Sequence, residues 1–388
     1  MKNDTYIEID TNVIKDNVDK IIRSRGGYDY YIAVIKGKAY GYGYEIAKYL
    51  TDTGINYLAV ATLSEALEIR KYIDKDFPVL CLQPIDLEDI KVCIKNNITI
   101  TIPDYDYYKK LVSLKITSLK VQLKINTGMN RLGFDDKDLI KSIYDDLILN
   151  KKYNIELEGV YSHFATLGIV DTEWDMQVSR FKDLISLIDI DKIKMVHMYS
   201  SNSLSIHPKL DFCNAVRIGQ LVFGNSFHNI NVDGFANKLK KIKRNYVRKH
   251  NNLSALNDDF FIDTKYAIKL LSNIQTIKKV SKGEKVGYDG EYLAMEDINV
   301  AMVPIGYCDG LHRNFTNKCV LINGKKYQII GEINMCMTLI KVDDDVHIGD
   351  KAMFIGDELT PRIVASSIGV PVPYLLCSFD SSIKRIYK

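Results

Sequence analysis

The sequence has no long hydrophobic run and little net charge. Its 388 residues carry 52 Lys and Arg against 49 Asp and Glu, a formal net charge of +3. A charge this small argues against nucleic acid or a membrane surface as a partner. No window approaches ~20 consecutive apolar residues, so no transmembrane helix is predicted. The first ten residues, MKNDTYIEID, lack the apolar core of a signal peptide.

Paired cysteine motifs are also missing. The seven cysteines, at positions 81, 93, 213, 308, 319, 336 and 377, include no CxxC pair. This scatter argues against a zinc site and against a disulfide framework. It favours free thiols in a reducing compartment, so we expect a cytoplasmic protein without a metal site.

Short β-rich runs alternate with longer amphipathic segments over about the first 225 residues. Eight such β/α units are what a closed (β/α)8 barrel needs. A doubly wound open sheet is the competing architecture, but no GxGxxG motif follows the first strand. The predicted strands are residues 30–35, 57–61, 79–82, 98–102, 119–125, 157–162, 194–199 and 215–223.

The pattern changes from about residue 274, where strand-like runs alternate with turns. The sequence therefore predicts an α/β fold, with an N-terminal TIM-like barrel over 10–228 and a mainly β domain over 264–388. Residues 1–9 are strand-like, and we expect them to join the C-terminal domain. Residues 229–263 are predicted as a basic insertion or linker. We interpret its run KLKKIKRNYVRK (238–249) as a solvated face rather than an anion- or nucleic-acid-binding arm.

A lysine stands at the end of the first predicted barrel strand. In AVIKGKAYGYG (33–43), Lys36 follows an apolar run and precedes a glycine-rich loop. Parallel α/β proteins display catalytic groups at the C-terminal ends of their strands. Lys36 is therefore placed to form a Schiff base with an aldehyde cofactor. A surface lysine after an edge strand is the alternative.

Other predicted strand ends also carry reactive groups. Arginine's planar fork suits a carboxylate, and clustered hydroxyls and amides suit a phosphate. Each such residue alone is more often structural, and their placement on one face of a barrel is what indicates a site. These residues are Lys124 and Arg131 around the end of the fifth strand, His163 after the sixth, Ser203 after the seventh, and Arg217 with Gly219 in the eighth.

Nine collinear motifs resemble those of the alanine racemase family, fold-type III enzymes that depend on pyridoxal phosphate. The resemblance implies racemisation of a small neutral amino acid, first of all L-alanine to D-alanine, which supplies cell-wall peptidoglycan. The motifs are AVIKGKAYGYG (33–43), KINTGMNRLGF (124–134), YSHFATL (161–167), SSNSLS (200–205), VRIGQLVFG (216–224), GEKVGYDGEY (283–292), VPIGYCDG (303–310), GEINMCM (331–337) and VPYLL (372–376).

The resemblance also implies a role for each matching residue. Lys36 would hold pyridoxal phosphate and act as one of two acid/base groups, and Tyr288 would be the opposite base, supplied across a homodimer interface. Two bases on opposite faces of a planar cofactor suit racemisation, because the proton leaves one face and returns to the other. Tyr40, His163, Ser203, Arg217, Gly219 and Tyr374 would bind the cofactor, Arg131, Met335 and Tyr307 would bind the substrate, and Lys124 matches a lysine that is often carbamylated.

The chain departs from the family pattern near the implied carboxylate site. Asn126 stands where an aspartate is usual, and Glu332, Asn334, Cys336 and Met337 replace the usual Arg, Cys, Asp and Gln. A serine or broad-specificity racemase is therefore an alternative. A fold-type III decarboxylase is another, although Arg217 argues against it, because such enzymes carry an acidic partner for the pyridine nitrogen. A non-catalytic cofactor-binding protein is a third.

Overall fold

The computed structural model describes residues 4–116, 118–167, 172–226, 235–251, 262–316 and 318–388. The strands are β1 Thr5–Ile9, β2 Tyr30–Val34, β3 Tyr57–Val60, β4 Val79–Cys81, β5 Ile98–Ile102, β6 Leu119–Lys124, β7 Ile155–Tyr161, β8 Met195–His197, β9 Ala215–Ile218, β10 Ile268–Asn273, β11 Thr276–Val280, β12 Lys285–Val286, β13 Tyr292–Leu293, β14 Ile298–Val303, β15 Cys319–Ile322, β16 Lys325–Gln328, β17 Thr338–Val342, β18 Lys351–Ile355 and β19 Lys384–Tyr387.

The helices are α1 Thr11–Ser24, α2 Lys36–Tyr40, α3 Ile46–Leu50, α4 Leu63–Ile69, α5 Ile90–Lys95, α6 Tyr105–Ser113, α7 Lys137–Tyr144, α8 Glu173–Leu184, α9 Ser201–Ile206, α10 Phe235–His250, α11 Pro361–Ile368 and α12 Val372–Ser378. No helix in the described part of the chain is long and apolar enough to cross a membrane.

The chain forms two compact units. The barrel unit comprises Lys15–Lys36 and Ala47–Thr264, and the β unit comprises the described residues up to Ile14, Gly37–Ile46 and Lys265–Lys388.

Eight parallel strands, β2 to β9, form the barrel. Each of the strands β2 to β7 pairs with the strand that follows it in sequence, and β9 pairs with β2. At the remaining seam the Asn214 amide donates to the Val196 carbonyl, and the Arg217 amide donates to the Tyr199 carbonyl, both at 3.2 Å. The sheet is thus nearly closed, which confirms the predicted barrel rather than an open doubly wound sheet.

The barrel strands form where the sequence is continuously apolar. Every residue of β3, β5 and β9 is buried, as expected for parallel strands covered on both faces. Side chains from five of these strands fill part of the interior with one apolar cluster, which buries them away from water. The buried members of that cluster are Ile32, Val34, Tyr57, Ala59, Leu80, Met195 and Ala215.

The β unit contains two sheets and a hairpin. A six-stranded sheet has the order β16-β15-β18-β10-β1-β19, and a three-stranded sheet has the order β11-β14-β17. Strand β1 lies antiparallel to β10 and parallel to β19. The first strand of the chain therefore shares a sheet with strands that come more than 250 residues later, as the register pairs of Thr5 with Ser272 and Ile9 with Tyr387 show.

The predicted insertion 229–263 is described only at 235–251 and 262–263, and the rest of it lies outside the described residues. Its basic run lies on α10. The interpretation as a solvated face is wrong for two of its arginines, because Arg244 and Arg248 are buried and Arg248 Nη1 lies 3.2 Å from Asp175 Oδ2 of α8. The carboxylate of Asp175 compensates the charge of the buried Arg248.

The loop after Lys36 makes a left-handed turn. The φ values of Gly37, Lys38, Ala39 and Tyr40 are 63°, 54°, 54° and 54°. Only glycine adopts this conformation without strain, and other L-residues lose about 1–2 kcal/mol each. The Gly41 amide donates to the Gly37 carbonyl at 3.1 Å, which helps to hold the turn. Helix α2 is therefore a short left-handed turn that sets the direction of the chain directly after Lys36.

We predict that Gly41→Ala destabilises the protein far more than Gly324→Ala. Both glycines have positive φ, 90° and 80°, but a Cβ at Gly41 would lie 2.0 Å from the Leu376 carbonyl oxygen, whereas a Cβ at Gly324 would meet nothing within 4 Å. We expect the free energy of unfolding, measured by urea denaturation, to fall by about 3 kcal/mol or more for Gly41→Ala and by about 1 kcal/mol for Gly324→Ala. Equal losses would contradict the close approach of Gly41 to Leu376.

Candidate active site

Arg217 is the buried cation on which the barrel end is built. It lies in β9 and is 4% exposed. Its Nη2 donates to the carbonyls of Ser162 and Met198, at 2.7 and 3.1 Å, which follow β7 and β8. Its Nη1 donates to the carbonyl and to Nδ1 of His197. Burial lowers the pKa of Arg217 to about 10, so the guanidinium stays charged at neutral pH.

Two histidines are kept neutral beside this cation. Arg217 Nη2 lies 3.1 Å from His163 Nδ1, and because arginine has no acceptor, the imidazole nitrogen must accept. Burial, followed by the charges of Arg217, Lys124, Arg131 and Lys36, lowers the pKa of His163 from 6.5 to about 2. Burial and Arg217 also hold the pKa of His197 well below its usual value. Both rings therefore serve as uncharged acceptors.

His197 and Gln122 are site residues that the sequence reasoning missed. His197 Nε2 pairs with Gln122 Oε1 at 2.8 Å, and since Nδ1 accepts from Arg217, Nε2 carries the proton and donates. The His197 ring stacks on Tyr161 with centroids 4.9 Å apart. A signal was present, because Lys120, Gln122 and Lys124 alternate with apolar residues along strand β6.

Lys124 is a buried amine among cations. It is 6% exposed, and its Nζ lies 4.8 Å from the centroid of the Tyr161 ring. Burial, then the charges of Arg217 and Arg131, lower the pKa of Lys124 well below 10.5. No described residue makes an ion pair or hydrogen bond with its Nζ. This shift favours the neutral amine, which is the form that adds to carbon dioxide to give a carbamate.

Arg131 lies in a loop that Asn126 shapes. Asn126 Oδ1 accepts from the amides of Gly128 and Asn130, at 3.2 and 3.0 Å. The Asn126 amide donates to the Phe134 carbonyl at 2.8 Å and closes the loop. The asparagine thus supplies the acceptor oxygen that an aspartate would supply in this turn. Arg131 itself is exposed, and its charge contributes to the lowered pKa values of Lys124 and His163.

Lys36 follows β2 at the same end of the barrel. The preceding Ile35 still pairs with the neighbouring strand, because its amide donates to the Ala59 carbonyl at 2.8 Å. The Lys36 side chain is exposed, and its charge contributes to the lowered pKa of His163. Lys36, Lys124, Arg131 and Arg217 thus act on one imidazole, so the structure brings these predicted residues together.

Gly219, a predicted phosphate-binding residue of the barrel unit, is held by Ser201, which the sequence analysis named only within the motif SSNSLS. The Gly219 amide donates to Ser201 Oγ at 2.9 Å, and the Leu221 amide donates to the same oxygen at 3.3 Å. Ser203 is buried, and its Oγ accepts from the Ser200 amide at 2.9 Å. Both backbone amides are thus paired with Ser201, and the hydroxyls of Ser200, Ser201 and Ser203 are the groups here that suit an anionic phosphorylated cofactor.

The remaining predicted residues lie in the β unit. Tyr288, Tyr307, Met335 and Tyr374 are all exposed there. Burial raises the pKa of Tyr40 to about 12. The structure brings Tyr307 and Met335 onto adjoining segments, since the Tyr307 amide donates to the Asn334 carbonyl at 3.0 Å and the Cys308 amide donates to the Met335 carbonyl at 3.0 Å.

The unusual Glu332 has a cationic partner in the β unit. Its carboxylate pairs with Arg313, which follows the Tyr307 segment in sequence. Glu332 places a negative charge where an arginine is usual, and Arg313 of the same chain compensates that charge. The loop that carries Met335 therefore keeps a charged contact at its start.

We predict that His163 stays neutral down to pH 5. Its folded pKa lies below its unfolded value, so its neutral form stabilises the fold above pH 6.5, and that stability is lost as the pH falls below 6.5. Between pH 7 and 5 the free energy of unfolding of the wild type should fall by about 2 kcal/mol because of His163. The variant His163→Gln should lack this part of the decrease. The ¹³C-histidine NMR signal that His163→Gln removes should not shift over this range, whereas histidines of the urea-unfolded chain should. A midpoint between pH 5 and 7 for that signal would refute the assignment.

Comparisons with known proteins cover nearly the whole chain. The family profile described as alanine racemase, N-terminal domain, matches residues 9–226, and the profile for the C-terminal domain matches residues 267–387. Alanine racemase 2 of Caldanaerobacter subterraneus is 31% identical over 99% of this chain and 94% of the relative. Alanine racemase 1 of Bacillus subtilis is 30% identical over 99% of this chain and 93% of the relative.

Solved structures agree. An alanine racemase of Clostridium difficile matches with a TM-score of 0.85 and 28% identity, covering 100% of this chain and 96% of that one. A histidine racemase of Leuconostoc mesenteroides matches with a TM-score of 0.83 over 100% and 98% of the two chains, but at 21% identity it shows the shared fold alone. The family indicated by the nine motifs is confirmed, and the chain belongs to the alanine racemase family.

Proposed function

We propose that this protein interconverts L-alanine and D-alanine with pyridoxal phosphate as cofactor. The observation that carries this proposal is the buried Arg217, whose Nη1 and Nη2 are both paired, beside neutral His163. Among the described residues, no carboxylate pairs with Arg217, and carboxylates are the partners that raise electron withdrawal from a pyridine ring. Relatives that are 30% and 31% identical over almost the whole chain bear the name alanine racemase.

The residues present fit the cofactor. Lys36 would carry it covalently, with Arg217 at the ring nitrogen and His163 beside the ring. Tyr40, Ser203, Gly219 and Tyr374 would surround the phosphate. When bound, pyridoxal phosphate supplies an electron sink that acidifies the Cα–H bond of an amino acid.

Arg217 sets the kind of reaction. It remains protonated at neutral pH, so it can donate a hydrogen bond to a ring nitrogen but cannot readily give that nitrogen a proton. Electron withdrawal is therefore limited, which favours return of a proton to Cα over transamination or loss of carbon dioxide. This is the physical argument for a racemase over a decarboxylase.

The proton is moved by two bases. Lys36 would take or return it on one face of the substrate, and Tyr288 on the other. Arg131 and the Met335 amide would hold the substrate carboxylate, and Tyr307 would narrow the entry. Alanine and serine differ by one hydroxyl, and small differences of this kind in an apolar pocket change binding by only about 1–3 kcal/mol. Turnover of serine as a second substrate fits the altered loop around Met335.

We propose a cytoplasmic homodimer in which each site takes Tyr288 and Tyr307 from the partner. The β unit exposes large apolar side chains at Met295, Met335 and Met337, with exposed fractions of 73%, 57% and 40%. Exposed apolar surface of this kind marks an interaction site. The D-alanine produced would supply cell-wall peptidoglycan.

The assignment of Lys36 predicts that Lys36→Ala abolishes both covalent cofactor binding and racemisation, while Lys38→Ala in the same turn retains both. We expect D-alanine formation from L-alanine, measured by chiral chromatography, to fall at least about 10³-fold for Lys36→Ala, because one base and the cofactor anchor are lost together. Borohydride reduction and mass spectrometry check the covalent link.

A panel of L-amino acids tests the substrate class in the same assay, with released carbon dioxide measured in parallel. Alanine should be turned over fastest, followed by serine. Carbon dioxide release in place of the D-enantiomer would show a decarboxylase, and normal turnover by Lys36→Ala would overturn the role of this lysine.

The shared site predicts complementation between two inactive variants. Mixed Lys36→Ala and Tyr288→Phe subunits should regain activity, because one of the two sites in each heterodimer then has both bases. Subunits that each carry both substitutions are the control and should stay inactive after mixing. A fully active monomer, detected by sedimentation at the assay concentration, would contradict the proposal.

A further inference from the structure

Two exposed cysteines of the β unit lie within reach of each other. Cys308 Sγ and Cys336 Sγ are 3.4 Å apart, although the residues are 28 positions apart in sequence. All seven cysteines are free thiols, and both members of this pair are exposed. The pair stands directly beside the proposed substrate-site residues, because Cys308 follows Tyr307 and Cys336 follows Met335.

The backbone fixes this approach. The amides of Tyr307 and Cys308 donate to the carbonyls of Asn334 and Met335, each at 3.0 Å, so the two segments are held in register. Gly306 permits the close packing, because a Cβ there would lie 2.3 Å from the Asn334 and Met335 carbonyl oxygens. The contact between the sulfurs is thus a consequence of main-chain packing rather than of two long side chains that meet at the surface.

The other cysteines have different surroundings. Cys81, Cys93 and Cys213 are buried, and burial raises the pKa of each. Cys319 is half-buried in β15. Cys377 is exposed, and its thiol donates to the Gly37 carbonyl at 3.6 Å. Cys308 and Cys336 combine exposure with a neighbouring sulfur, which is the arrangement that a reversible disulfide needs.

We propose that Cys308 and Cys336 form a reversible disulfide, and that this modification site couples the enzyme to the thiol–disulfide state of its surroundings. The bond would join the Tyr307 segment to the Met335 segment. Its effect on turnover rests on the proposed function, since Tyr307 and Met335 are there assigned to the substrate. The formation of the bond itself does not rest on that assignment.

The oxidant is a low-molecular-weight disulfide such as oxidised glutathione. The Cys336 thiolate attacks one sulfur of that disulfide, which forms a mixed disulfide and releases one small thiolate. The Cys308 sulfur, after losing its proton, attacks the Cys336 sulfur and releases the second small thiolate. Two S–H bonds of the protein are lost, one S–S bond forms, and the oxidant is reduced to two thiols that take up the two protons.

The order of attack follows from the hydrogen bond between the thiols. That bond raises the pKa of Cys308 to about 12, so Cys308 keeps its proton longer. The thiolate is the attacking species in exchange, so a raised pKa disfavours Cys308 as the first attacker. Asp309 beside Cys308 acts in the same direction, because its charge also raises the pKa of Cys308.

The bond would shift the substrate site. A disulfide has a sulfur–sulfur distance of about 2.05 Å, so the two sulfurs must approach by more than one ångström. Rotation of the two side chains supplies part of this movement, and the segments of Tyr307 and Met335 supply the rest. Misplacement of binding groups by about 1 Å lowers turnover by up to about 10²-fold.

The first experiment measures the bond without reference to activity. The purified protein is incubated with oxidised glutathione, its remaining thiols are alkylated, and its peptides are analysed by mass spectrometry without reduction. We expect a peptide that links Cys308 to Cys336 with the loss of two hydrogen atoms, and its disappearance after dithiothreitol. Cys308→Ser and Cys336→Ser should lose the linked peptide, whereas Cys319→Ser, the matched control, should keep it. Persistent free thiols or stable mixed glutathione adducts at both positions would overturn the proposal.

The second experiment compares kcat/KM for alanine before and after oxidation within each variant. We expect a decrease of about 10-fold or more for the wild type and for Cys319→Ser, restored by dithiothreitol, and no change on oxidation for the double variant with Cys308→Ser and Cys336→Ser, which can form neither the bond nor a mixed disulfide at this site. A linked wild type with unchanged kcat/KM would overturn the coupling to the substrate site. If alanine is not turned over before oxidation, the proposed function fails, while the linked peptide still decides whether the disulfide forms.

Discussion

The burial of one guanidinium constrains the barrel end. A buried cation costs several kcal/mol unless its donors are paired, and Arg217 pairs them with carbonyls that follow β7 and β8 and with two imidazoles. Because the arginine cannot lose its proton readily, the groups around it must adapt. His163 and His197 remain neutral, and Lys124 is driven toward its free-amine form.

The resulting field has one sign. Four cationic side chains act on His163, and the amides of Gly219 and Leu221 converge on one hydroxyl nearby in sequence. Such an arrangement favours anions, and the two anions that the proposed reaction needs are a phosphate and an amino-acid carboxylate. The same positive charges that lower the pKa of Lys124 therefore also favour the binding of these anions.

Much of the barrel is predictable from sequence, and the reason lies in burial. Most residues of the strands β2 to β9 are buried, so these strands stand out as largely apolar runs, and most of their predicted ends agree with the structure to within a few residues. The residues at their C-terminal ends could be identified for the same reason. Strands β10 and β19 were missed because their partners are distant in sequence, and a short run such as KRIY carries no periodic signal of its own.

The contacts inside the site were harder to predict from the sequence. The link between Gln122, His197 and Arg217 joins side chains of three strands, β6, β8 and β9, which no local pattern encodes. The left-handed turn at Lys38, Ala39 and Tyr40 contradicts the local preference of those residues, because tertiary packing overrides it. The contact of Cys308 with Cys336 likewise arises only when two loops are placed side by side.

The division of the chain between the two units has a consequence for the order of events during synthesis. Residues 47–264 make the barrel's later strands from one continuous stretch, whereas the β unit combines the chain's first segment and Gly37–Ile46 with residues from Lys265 onward. Contacts between distant segments form slowly, and chains fold from the N-terminus as they emerge. The turn after Lys36 packs against Leu376, so it is complete only after Leu376 has been made. Lys36 is thus made long before the residues that order the turn beside it.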